Sequence, residues 1–183
     1  AARDSVGLQD MKGGPALYRY LVRSNTTTDL TPAAIHQIGL DEVKRLHAEM
    51  EKVKREVGFT GTLQQFFEHI RTDPKFKPAS REALQQGYVA IGKRLDATLP
   101  KLFSTLPKAP LDIRPVPALT EKGAARGSYQ QGTPDGSRPG VFFFNAYDLP
   151  SRTTPGMETL YLHEGAPGHH FQISLAQENE RLP

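Results

Sequence analysis

Gly140-Val141-Phe142-Phe143-Phe144-Asn145 is the stretch on which the reading of the fold turns. Val141 to Phe144 is the longest apolar run in the chain, strand-sized and bounded by Gly and Asn, so it predicts a buried strand. Upstream, Leu111-Asp112-Ile113-Arg114-Pro115-Val116-Pro117-Ala118-Leu119 alternates apolar with polar or proline residues, as an edge strand does. Gly127 to Gln131 suits a second short strand, and Thr133-Pro134-Asp135-Gly136 is a turn signal. Residues 107–154 therefore predict a small antiparallel β-sheet with its loops. The chain on either side reads as helical, which gives a fold that is mainly α with a small antiparallel sheet, of the α+β class.

The helical part covers residues 14–106. Ala16 to Val22 is a short apolar-aromatic stretch ahead of the polar Ser24 to Thr28. Thr31-Pro32 combines an N-cap hydroxyl with proline at the first helical position. From there Ile35, Ile38, Val43, Leu46, Met50, Val53 and Val57 recur mostly three and four apart, the stripe of one amphipathic helix, and Gly58 suits its C-cap. Thr60 to Arg71 predicts a second helix, with Asp73 to Pro78 as its break. Ser80 starts a third, with Leu84, Tyr88, Ile91 and Leu95 facing inward and Pro100 near its end. Residues 155–183 carry a further helical pattern opened by Pro155. The opening residues, Ala1 to Gly14, read as a mid-chain loop, and Arg181-Leu182-Pro183 stops just after a helical pattern. Both ends thus look cut from a longer chain, and the whole reads as a single region of a larger domain.

Composition excludes several classes. The 183 residues include no Cys, so there is no disulfide framework, Cys-based zinc finger, iron–sulfur site or thiol chemistry. Lys and Arg number 23 against 20 Asp and Glu, and no block of like charge occurs. Nucleic-acid binding through the basic positions between Lys44 and Arg55 is disfavoured, since no aromatic residues interleave with them. No apolar run approaches the ~20 residues that span a bilayer.

Three of the six histidines fall in His163-Glu164-Gly165-Ala166-Pro167-Gly168-His169-His170, while His36, His47 and His69 are scattered singly over the helices. A His-Glu pair followed by another His suits zinc hydrolysis: two imidazoles hold the metal, and the carboxylate next to the first polarises water. The usual spacing, H-E-x-x-H, places both imidazoles one turn apart on one helix face. On an unbroken helix His163 and His169 would point about 120° apart, and His163 and His170 would lie ~10.5 Å apart along the axis. Gly165, Pro167 and Gly168 disfavour an unbroken helix. A break there would return His169, or failing that His170, toward His163. The alternative is a helix–turn–helix corner with exposed histidines.

With Phe171-Gln172 after it, this stretch resembles the H-E-x-x-P-G-H signature of the bacterial DUF885 proteins, which are related to zinc metallopeptidases. The resemblance runs from about Gly14 through Thr26-Thr27-Thr28, Thr31-Pro32, Ile35-His36, Gly39-Leu40-Asp41-Glu42-Val43, Asp112-Ile113-Arg114-Pro115-Val116-Pro117, Asp135-Gly136-Ser137-Arg138-Pro139-Gly140 and Tyr147-Asp148-Leu149-Pro150-Ser151-Arg152. It implies a fragment of a longer, largely helical protein, with the rest of the parent chain packing on it. A periplasmic or exported location is favoured, and a cytoplasmic one stays open.

By carry-over, His163 and His169 would be zinc ligands, Glu164 the general base, and His170 a supporting residue or alternative ligand. The third ligand would come from a later glutamate-bearing helix, of the E-G-W-x-x-Y-x-E kind, that this Trp-free chain lacks. Glu158 and Glu178 are the substitutes within it. The implied activity is zinc-dependent hydrolysis of a peptide substrate, with Tyr147 or Arg152 as oxyanion candidates and the fragment inactive alone. Asn145 is a candidate for substrate backbone, with turn initiation as its other reading. The alternative function is a non-catalytic binding or interaction module whose histidine cluster is structural.

Overall fold

The computed structural model describes residues 4, 7, 8 and 10–181. The predicted opening loop and the last residues, Leu182 and Pro183, lie wholly or partly outside them. The chain divides into two compact units, residues 1–66 and 67–183.

The first unit holds α1 (Gly14–Thr26) and α2 (Pro32–Glu56). Thr31 caps α2 as its sequence requires: the side-chain oxygen accepts the Ala34 N–H at 3.1 Å, and Pro32 takes the first turn. The helix closes with a Schellman arrangement. Gly58 N donates to Arg55 O and Phe59 N to Lys54 O, both at 3.0 Å, with Gly58 at φ 72°. Lys54 is buried, and its ammonium donates to Gly61 O and pairs with Glu51, each at 2.6 Å. The apolar stripe itself stays largely in solvent: Ile38, Val43, Leu46, Met50, Val53 and Val57 are all exposed.

α3 (Leu63–Thr72) begins in the first unit and ends in the second, where the Asp73 carboxylate accepts the Lys75 N–H and turns the chain. α4 (Arg81–Asp96) is capped by Ser80, whose hydroxyl accepts the Ala83 N–H at 3.0 Å. The short α5 (Leu99–Leu102) follows. Then come β1 (Leu111–Pro115), β2 (Gly127–Gln130) and β3 (Gly140–Phe144), and finally α6 (Met157–Glu164) and α7 (Gly168–Glu178).

The α+β class holds, and β3 is the buried strand, at the centre of the order β1-β3-β2. The sheet is mixed rather than wholly antiparallel. β2 returns to β3 through a short connection and pairs antiparallel, Tyr129 opposite Phe142; β1 pairs parallel on the other edge, Ile113 opposite Phe142. The alternation in β1 identifies a strand but not its direction, because side chains alternate identically in both pairings.

Phe142 and Phe144 point to one face of β3 and are almost fully buried. Tyr88 of α4 packs its ring on both, at centroid distances of 5.0 and 5.2 Å, and Tyr161 of α6 meets Phe142 edge-on at 5.6 Å. The sheet thereby serves as the platform against which α4 and α6 are set, and α6 carries the histidine–glutamate pair.

Asn145 is used locally. Its amide donates to Glu121 O (2.7 Å) and Ala124 O (2.9 Å), and its oxygen accepts the Tyr147 N–H (2.8 Å). It therefore ties two loops together at the end of β3.

Candidate functional site

α6 ends at Glu164 and α7 starts at Gly168, so the helix breaks within the motif. Gly165 N still donates to Tyr161 O at 2.8 Å, but Gly165 then leaves the helical region (φ −97°, ψ −119°), and the Ala166–Pro167 bond is cis. The next turn folds back closely on the last. A Cβ on Gly168 would collide with the carbonyl oxygens of His163 and Leu162, so only glycine fits there.

The break brings His163 and His169 together. Their ring centroids lie 4.9 Å apart with planes at 84°, where a continuous helix would have splayed them. Glu164 Oε2 is 3.8 Å from His169 Nε2, with the carboxylate mostly shielded. His163 is exposed and His169 half-buried. His169 thus lies beside both His163 and Glu164.

His170 goes elsewhere. It is buried, its Nδ1 is bonded to the Tyr129 hydroxyl at 2.9 Å, and its ring also bonds the backbone of Ala109. Burial lowers its pKa below the ordinary histidine value, against the opposing pull of the Ala109 bond and of Glu178 and Asp96. Gly140 leaves the space for this arrangement, since a Cβ there would press on both the Tyr129 hydroxyl and His170 Nδ1. Sequence reading did not single out Tyr129, which sits in a short strand far from the motif in sequence.

The two glutamates considered as substitute ligands are occupied. Glu158 pairs with Arg94 at 2.6 Å, and Glu178 accepts the Lys108 N–H at 2.8 Å. Among the described residues no group of three or more His, Asp or Glu side chains is placed to hold a metal ion.

Two clefts border α6. One, of about 520 Å³, is lined by Asp96, Tyr161 and His170 among others, and does not include His163, Glu164 or His169. Burial raises the Asp96 carboxyl, offset in part by His170, and burial with the Asp96 charge pushes the Tyr161 phenol up to about 12. The other, of about 470 Å³, contains His163 together with Tyr88, Arg126, Arg152, Met157 and Leu160. Of the oxyanion candidates, Arg152 therefore shares a cleft with His163, while Tyr147 is not among its lining residues. Arg126 carried no sequence signal: a single arginine before a glycine is unremarkable until the fold places it.

Fold and site together define a mainly helical α+β protein whose histidine–glutamate motif straddles a break between two helices. The chain belongs to the family described as "Bacterial protein of unknown function (DUF885)", whose model matches residues 1–183. It is also similar to a solved structure described as "The crystal structure of the putative lipoprotein from Colwellia psychrerythraea", at 29% identity and a TM-score of 0.84. That match covers 96% of this chain and 31% of that one, so this chain spans less than a third of that protein's length. No curated protein matches the sequence. No helix among the described residues is long and apolar enough to cross a membrane.

Proposed function

We propose that this chain carries the metal-binding and general-base portion of a zinc-dependent peptidase. The observation that supports it is the approach of His163 and His169 to 4.9 Å between centroids, with Glu164 beside them. Two imidazoles bound to one zinc ion at ~2.0–2.1 Å have centroids about 5 Å apart, and the separation of this pair is of that size. Zinc held by His163, His169 and a ligand from a longer parent chain would supply Lewis acidity and lower the pKa of bound water.

Glu164 adjoins His163 in the chain and is mostly shielded from solvent. It takes the proton of the attacking water and returns it to the leaving amine. The Tyr129–His170 bond holds the first turn of α7 and so orients His169, the next residue along. By likeness to the Colwellia structure the parent is a longer, exported protein, and the exposed α2 stripe offers its remaining length a surface to pack on.

The test is metal content and zinc affinity of this chain and of a form continuing past Pro183, each as wild type, His163→Ala and His169→Ala. One zinc per longer chain, lost in both variants, is the expected result. Absence of zinc from the longer form, or zinc unaffected by either substitution, would sink the catalytic reading and leave a binding module with a structural histidine cluster.

A further inference from the structure

The cleft containing His163 is chemically two-sided. Leu84, Tyr88, Met157 and Leu160 make it apolar, while Arg126 and Arg152 add two guanidinium groups, and no Asp or Glu lines it. Elsewhere in the same unit Arg81, Arg94 and Arg114 each pair with a carboxylate. Neither Arg126 nor Arg152 does so among the described residues. Arg152 spends its Nε on Tyr147 O, at 3.1 Å, and its other donors remain.

Two further features add positive potential at the same place. Gly156 at the N-terminus of α6 lines the cleft, and no side chain caps that helix end. The buried Tyr88 phenol, raised by burial, is pulled back by the charges of Arg126 and Arg152 together, so both cations bear on one wall. Two unpaired guanidiniums and a helix N-terminus over an apolar wall select an organic anion, because a fully hydrated inorganic one gains nothing from the wall.

We propose that this cleft is a subsite for a carboxylate of a peptide substrate, gripped by Arg126 and Arg152 with the adjoining apolar side chain against Tyr88, Met157 and Leu160. The inference rests on the peptidase reading for the nature of the ligand, but not for the binding itself. If His163 marks the reacting end, the carboxylate lies beside the cleaved bond, and its source is either the C-terminus of a short peptide or an acidic side chain.

The experiment is calorimetric titration of the full-length protein in excess chelator, where no turnover occurs. The probes are N-acetyl-Leu-Phe with a free C-terminus, its C-terminal amide, and N-acetyl-Glu-Phe amide. The free acid is expected to bind at least about ten-fold more tightly than its amide, with that preference lost in Arg126→Gln and Arg152→Gln and partly restored by Lys at either position. If N-acetyl-Glu-Phe amide shares the preference and the free acid does not, the carboxylate site stands and its source is a side chain. Equal binding of all three peptides, or a preference that survives both Gln variants in folded protein, overturns the proposal. Because zinc is absent throughout, a failed zinc measurement leaves this result standing, and a failure here leaves the zinc result untouched.

Discussion

α2 and α4 have the same kind of sequence, an apolar stripe at helical spacing behind a hydroxyl cap, and end in opposite surroundings. In α4 the stripe is covered: Leu84 and Tyr88 are buried, and Ile91 and Leu95 pack partly against the same core. In α2 the stripe runs from Ile38, 50% exposed, to Val57, 63% exposed, and its one buried residue is Lys54. The period of a pattern states that a helix has an apolar face. What covers that face depends on which other elements reach it. For α4 these are β3 and α6, both within the chain. For α2 the described residues of its own unit leave the stripe exposed.

The contrast yields three measurements, beginning with the largest effect. Phe142→Ala removes a ring with no exposed surface and should destabilise the second unit by about 3–5 kcal/mol, whereas Leu46→Ala on the α2 stripe should cost within about 1 kcal/mol. Denaturant unfolding followed in each unit separately checks this, and similar losses at the two sites would erase the distinction. If a longer form raises the cost of Leu46→Ala but not of Phe142→Ala, the missing cover lies there.

Glycine substitution makes the second comparison. Gly168→Ala forces a methyl against two backbone carbonyls and should cost about 3 kcal/mol, and weaken any metal binding with it. Gly39→Ala meets nothing within 4 Å in the middle of α2 and should stabilise that helix by up to about 1 kcal/mol. Thermal melts decide the matter, and a neutral Gly168→Ala would contradict the close fold-back of the motif.

The smallest effect concerns His170. Its pKa is lowered in the folded state, so the unfolded chain binds the extra proton more readily. The stability it contributes is whole above the unfolded value near 6.5 and is lost as pH falls through that value toward the folded one. The melting temperature should therefore decline more steeply between pH 7 and pH 5 in the wild type than in His170→Asn, which keeps an acceptor for Tyr129 but cannot titrate. Parallel declines would place His170 in a solvated setting like that of the exposed α2 histidines.

Much of the local structure was legible in the residues. Thr31-Pro32 and Ser80 start their helices, Gly58 ends one, and the Phe-rich run is the central strand. Gly165, Pro167 and Gly168 disfavoured an unbroken helix, but the residues left open whether His169, His170 or neither returns toward His163. The division of labour between the adjacent His169 and His170 was not legible. It depends on Tyr129, whose hydroxyl reaches His170 only because β2 is registered on β3 and Gly140 leaves room. Arg126 was equally silent, since nothing in its neighbours indicates the cleft it enters.

Sequence by itself thus determined where helices and strands lie, that an unbroken motif helix is disfavoured, and that the chain's likeness is to DUF885. These follow from backbone preferences and from residue types at fixed spacing, which act over a few positions of chain. Tertiary structure alone decided the direction of β1, the burial of the α4 stripe against the exposure of α2, and the burial of one histidine while its neighbour turns to Glu164. Each of those outcomes depends on contacts between segments tens of residues apart, and such contacts leave no periodic trace in the residues that make them.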